Sequence, residues 1–136
     1  PLYANIKCEH LIVFYLYSNN QKFERKYMAR IYTFFFHLSA RKEWLQLSRN
    51  DRNSYFAQLN HDVFAKYPGV HIRLFDAEAF TACCSDIVMF ETEDIQSYYF
   101  LVEELRDSKI YTKPYFDVIS IFPAIENGFL EFESAN

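Results

Sequence analysis

The sequence predicts an α+β fold of the ferredoxin-like kind, in which a βαββαβ order builds an antiparallel sheet that carries both helices on one face. Three observations lead there. Strand-forming residues fill four short segments, at residues 30–38, 70–76, 86–91 and 115–122. Apolar residues recur at helical spacing in two others, each bounded by capping or stop residues. These segments follow one another as strand, helix, strand, strand, helix, strand.

In the first strand Tyr32, Phe34, Phe36 and Leu38 form a wholly apolar face, while Ile31, Thr33, Phe35 and His37 form a mixed one. Ser39 is placed to cap a short helical turn carrying Trp44 and Leu45. Ser48, three residues before Asp51, opens the first long helix in a weak form of the capping box. Phe56, Leu59, Val63 and Tyr67 make its apolar stripe, and Pro68-Gly69 stops it. The second strand sets Ile72 and Leu74 on one face and His71, Arg73 and Phe75 on the other. A connection through Cys83-Cys84-Ser85 then leads to the third strand. It is longer than the two to five residues of an ordinary hairpin, which marks it as a loop kept for more than turning. Thr92 is expected to cap the second helix, whose stripe is Ile95, Tyr98, Tyr99, Val102 and Leu105. Residues 109–114 read as a connection, Pro123 as the end of the fourth strand, and Asn127-Gly128 as the start of a short aromatic tail.

The chain has 136 residues, of which 51% are hydrophobic, enough to fill the core of one domain at residues 28–136. Aromatic residues make up 20%, more than one small core absorbs, so a second apolar surface is expected, either a ligand cavity or a subunit interface. Phe35, Phe75, Val88 or Met89, and Val118 or Ile119 face away from the helices. A second copy packed sheet to sheet would cover them, which predicts a homodimer built as an α/β barrel.

Net charge is −4 for the whole chain, and ten basic against sixteen acidic residues give −6 from Met28 onward. Such a balance disfavours nucleic acid as a partner, because phosphate neutralisation supplies most of that affinity. Three cysteines, two of them adjacent, form no disulfide framework, and the cytoplasm is the expected location. No apolar run reaches the roughly 18 residues of a membrane span. Residues 1–27 differ in composition from the rest. They begin with Pro, and about half are Tyr, Phe, Ile, Asn or Lys, the products of AT-rich codons. The expectation is a non-native leader or extension before a natural start at Met28; the alternative is a genuine extra strand at residues 11–17.

From Met28 onward the chain resembles the darcynin family of small bacterial proteins. The resemblance rests on Arg73-Leu74-Phe75-Asp76-Ala77-Glu78-Ala79-Phe80, Cys84-Ser85-Asp86, Phe90-Glu91-Thr92, Tyr98-Tyr99-Phe100-Leu101 and Pro114-Tyr115-Phe116. It implies a ferredoxin-like fold similar to dimeric α/β barrel proteins, and it implies no particular activity.

The topology brings the ends of strands one and two beside the starts of strands three and four. His37, Asp76, Glu78, Cys83, Cys84, Asp86 and Tyr115 gather toward that end, and with Tyr99 they are the candidates for holding a small organic ligand. The plainer reading is a polar rim where strands meet loops. Asp76 and Glu78, two residues apart, are either a coupled carboxylate pair or turn chemistry. Cys83 or Cys84 with His37 would make a nucleophile and base, but no following glycine-rich turn and no nearby cation marks either thiol as activated, and buried structural cysteine is the better reading. His10, His37, His61 and His71 lack metal-ligand spacing, so neither a metal nor a cofactor is expected; His61 keeps haem in view as a lesser alternative. Arg73 is either an anion clamp or an interfacial ion-pair partner, and with Phe35 and Phe75 it is assigned to the interface. Two functions follow: a ligand-binding barrel, with cofactor-free oxygenation or isomerisation by fold analogy alone, or a non-catalytic homodimeric interaction module. An enclosed void lined by His37, Asp76 and Tyr99 favours the first, and a filled interior favours the second.

Overall fold

A computed structural model describes residues 30–136, so the expected leader and the alternative strand at residues 11–17 lie outside the described residues. In chain order the elements are β1 (Tyr32–Ala40), α1 (Lys42–Leu45), α2 (Arg49–Asp62), a 3₁₀ turn at Phe64–Lys66, β2 (Val70–Asp76), β3 (Asp86–Thr92), α3 (Ile95–Asp107), α4 (Lys109–Thr112), β4 (Phe116–Ile125) and α5 (Gly128–Ala135). The strands form one sheet in the order β2-β3-β1-β4, with every neighbouring pair antiparallel. This is the ferredoxin-like arrangement. Among the described residues no helix is long and apolar enough to cross a membrane.

Both long helices lie on one face of the sheet, because a single buried cluster joins Phe36, Val70, Phe90 and Phe116 of the strands to Leu59 of α2 and to Leu101 and Leu105 of α3. Among the described residues Leu101 is fully buried and the largest side chain to be so; removing such a side chain from water stabilises the fold by about 1.5–3 kcal/mol. At the far end Trp44 stands among Tyr55, Phe56, Tyr115 and Phe116, with ring centroids 5.2–6.1 Å away. Arg52 closes this corner from above, donating to the carbonyls of Trp44 and Leu45.

Local chemistry fixes the helix starts. The Ser48 hydroxyl accepts from the Asp51 N–H at 3.1 Å and donates to the Asp51 carboxylate, so it caps α2 in the expected way. At α3 the cap is Asp94 rather than Thr92. Thr92 remains in β3, opposite Tyr32 and Val70, where its hydroxyl donates to the Gly69 carbonyl and accepts from the Asp94 N–H. Ser39 likewise stays in β1, and Arg41 flanks α1 without a side-chain cap.

Three further expectations give way to the structure. Pro123 does not end β4, which runs on to Ile125 with Pro123 opposite Phe34. An edge strand tolerates proline because one of its sides needs no donor. Part of the segment at residues 109–114 is helical as α4, capped by Ser108, whose hydroxyl accepts from the Ile110 N–H. The aromatic tail forms α5, tied back to the start of β1 by an ion pair between Arg30 and Glu131.

Candidate functional site

The suspected loop, residues 77–85, is closed at its base by a small set of hydrogen bonds centred on Ser85. Its carbonyl accepts from the N–H groups of Ala77 and Glu78 at 2.8 and 3.0 Å, and its own N–H donates to the Leu38 carbonyl at 2.8 Å. The Ser85 hydroxyl accepts from the Ala40 N–H at 2.7 Å and donates to the Asp86 carboxylate. One serine therefore fastens the loop to the end of β1. Cys84 and Ala77 are buried beneath it, whereas Cys83 is exposed and Phe80, at the tip, is 90% exposed.

Beside this base the register sets Asp76 directly opposite Asp86. Glu78 folds over the same end, so that carboxylate oxygens of Asp76, Glu78 and Asp86 all lie within 4.8 Å of one another. Burial foremost, and then the charges of Glu78 and Asp76, push the Asp86 carboxyl above the ordinary aspartate range, against the opposing effect of the Ser85 hydrogen bond. Three acids so placed attract a cation or a protonated amine, and the raised Asp86 is suited to exchange a proton.

The other candidates lie elsewhere. His37 is at the same end of the sheet but on the opposite, open face, where it pairs with Ile87 and packs against the Phe122 ring at 5.1 Å. Tyr115 is buried against Trp44 and Tyr55 in the core. Tyr99 is 56% exposed on the outer side of α3. His61 is exposed beside the Asp62 carboxylate. The structure thus brings together Asp76, Glu78 and Asp86 and leaves His37, Cys83, Tyr99 and Tyr115 out of that group.

The open face carries the interface candidates. Phe35 pairs with Met89 and Phe122, and Met89 with Arg73, whose guanidinium lies 5.0 Å above the Phe75 ring. Phe75 and Phe122 are 39% and 54% exposed there. A feature that the sequence reading missed is a groove of about 540 Å³ between α2 and the outer edge of β2, lined by Phe56, Asn60, Phe64, Tyr67, Ile72 and Leu74 among others. Its only signal in the sequence was the unbroken apolar alternation of Val70, Ile72 and Leu74 beside the α2 stripe.

Fold and sheet order define a small ferredoxin-like α+β protein with one helix-covered face and one open face. The chain belongs to the darcynin family: residues 22–133 match the family described as "Darcynin, domain of unknown function". It is 46% identical over 90 residues to Darcynin 1 of Acinetobacter baumannii, covering 66% of this chain and all of that one. To the darcynin of Chromobacterium violaceum it is 50% identical over 72 residues, covering 53% of this chain and 91% of that one. Among solved structures it is similar to a protein of Thermus thermophilus described as a novel heme-binding protein, with a TM-score of 0.64 at 19% identity, over 79% of this chain and 46% of that one. It is also similar to chlorite dismutase from Candidatus Nitrospira defluvii in complex with imidazole, with a TM-score of 0.63 at 17% identity, over 80% of this chain and 46% of that one. The chain therefore spans less than half the length of either solved structure, and the likeness is one of fold.

Proposed function

We propose that this chain works as a non-catalytic homodimeric binding module whose two open sheet faces pack on each other. The observation that carries the reading is the contrast between the faces. On the helix side the layer is filled by rings: Phe34 is stacked on Tyr98, Phe36 lies edge-on to Phe90, and the Trp44 cluster closes the far end. On the other side Phe75 and Phe122 stand in solvent beside half-buried Phe35 and Ile87 and buried Met89. Apolar sheet faces are normally covered, and a second copy supplies a matching surface.

Oxygenase or isomerase chemistry would need an enclosed cavity, and His37, Asp76 and Tyr99, the residues expected to line one, stand on three separate surfaces. Haem, named for the Thermus protein, fits these residues poorly for a related reason. A flat macrocycle needs the space that these rings occupy, and among the described residues His37 is on the open face while His61 and His71 are exposed. A second reading, a small cationic ligand at the strand-end acids, is favoured by the closeness of Asp76, Glu78 and Asp86.

Native mass spectrometry of the protein from its own host tests both readings. A dimer of protein mass alone supports the module, and a dimer with a reproducible added mass supports the ligand. A monomer at micromolar concentration overturns the assembly. Phe122→Glu places a charge in the proposed interface, so it is expected to give a folded monomer.

A further inference from the structure

We infer that the free edge of β2 is a strand-addition site for an extended segment of another protein, one that alternates apolar and acidic residues. Among the described residues β2 pairs on one side only, with β3, through seven consecutive residue pairs without a bulge. The sheet's two edges are treated differently. At β4 the edge carries Pro123 and an extra residue, Ile119, where the register shifts between His37 and Leu38; proline and bulges are the usual means of making an edge unreceptive. Neither device is present in β2, which leaves a row of backbone donors and acceptors open to another strand.

The surroundings of that edge specify what would lie there. On the helix side an added strand would direct every second side chain into the groove walled by Phe56, Phe64, Tyr67 and Leu74, so those positions call for apolar residues. On the open side its alternate side chains would stand beside His71 and Arg73. Arg73 meets no carboxylate within ion-pair distance among the described residues, so those positions call for Asp or Glu. The seven residues of β2 take a partner of similar length. A second copy is the poorer occupant. Antiparallel pairing of β2 with itself over its whole length is centred on Arg73 and sets two guanidinium groups directly opposite, which is repulsive. The backbone pairing is made at the edge, whereas the acidic positions would lie beside Arg73 on the open face assigned above to the dimer; β2 amide exchange tests the first and oligomeric mass tests the second.

The test uses the full chain and a fluorescently labelled seven-residue peptide that alternates valine with aspartate, read by anisotropy and by amide hydrogen exchange. Saturable binding is expected, with slowed exchange at β2 amides and not at β4. A peptide with lysine in place of aspartate should bind roughly fivefold more weakly, and Arg73→Glu, checked for fold by circular dichroism, should reverse that order. N-methylation at alternate peptide amides, on the side facing β2, should abolish binding. Equal binding of a scrambled peptide, absence of binding at millimolar concentration, or an unchanged order in Arg73→Glu would overturn the proposal. So would β2 protection that grows with protein concentration in the absence of peptide, which would assign the edge to a second copy.

Discussion

Phe34 lies flat against Tyr98, with ring centroids 3.7 Å apart and planes within 4° of parallel. One ring belongs to β1 and the other to α3, so the pair clamps helix to sheet where Phe36 and Phe90 also meet Tyr98 edge-on. Phe34→Ala removes the stack and leaves a gap that the rigid neighbours cannot close. Because Phe34 is only part-buried, the expected loss is about 2–3 kcal/mol, below the usual range for a fully buried aromatic. Urea unfolding measures it; a loss under half of that would mean that the clamp carries little.

The same tyrosine makes the fold sensitive to alkali. Burial, with a smaller effect from nearby Tyr111, pushes the Tyr98 hydroxyl up to about 12. Unfolded tyrosine releases its proton near pH ~10. The folded state therefore holds the proton longer, and stability is intact below pH ~10 and lost as pH rises from there to about 12. In Tyr98→Phe the fall in urea midpoint between pH 9 and pH 11.5 should be smaller than in the natural sequence. Tyr55 and Tyr111, also raised chiefly by burial, and Tyr67, raised chiefly by its hydrogen bond to Glu104, contribute to the fall that remains. Equal falls in the two proteins would remove Tyr98 from the argument.

Asp86 acts in the acid range with the corresponding sign. Its carboxyl is raised, so the folded state favours the protonated form, and stability declines as pH rises from the ordinary aspartate value through the raised one. Above that window the charge is a standing cost. Asp86→Asn keeps an acceptor for Ser85 and removes the charge, so it should raise the thermal midpoint at pH 7 and leave it unchanged at pH 3. A lower midpoint at pH 7 would show that the acids are held together by something that needs the charge, as a bound cation would.

Ser85→Ala tests the fastening of the loop. The Ala40 N–H loses its side-chain acceptor at 2.7 Å, and because this amide is only part-buried the cost is about 1 kcal/mol, the low end of the range for an unpaired buried group. Hydrogen exchange at Ala40 should accelerate, together with exchange at Ala77 and Glu78, while the amides of α3 keep their protection. Uniform acceleration across the chain would mean that Ser85 supports the whole fold and not the loop.

What could be read from the sequence was whatever is local. Ser48 capping α2 is short-range chemistry and stood where the residues placed it, but α2 ends at Asp62 and not at Pro68-Gly69, because the chain tightens into a 3₁₀ turn at Phe64–Lys66 first. The closeness of Asp76 and Glu78 was legible from their spacing, but the arrival of Asp86 depends on the β2–β3 register. His37 shows the same limit. Its parity with Phe35 was visible, yet which face of β1 matches which face of β2 is decided only when β3 pairs between them. The stripe of α3 was ambiguous for another reason. Tyr98, Tyr99, Phe100, Leu101 and Val102 are apolar in succession, so no single face stands out, and the buried one proved to be centred on Leu101 and Leu105 rather than on Tyr99 and Ile95. Pro123 looked like a stop because edge position is a property of the sheet and not of the strand.

The difference between the two sheet edges also limits how far the molecule can grow. A fibre built by stacking sheets side by side requires each unit to offer two receptive borders, so that every unit added creates the next place to add. Here propagation from β2 would have to continue through β4, and Pro123 and the Ile119 bulge interrupt that border. Addition at β2 is therefore a terminating event. The protein can leave one border bare and still resist polymerisation.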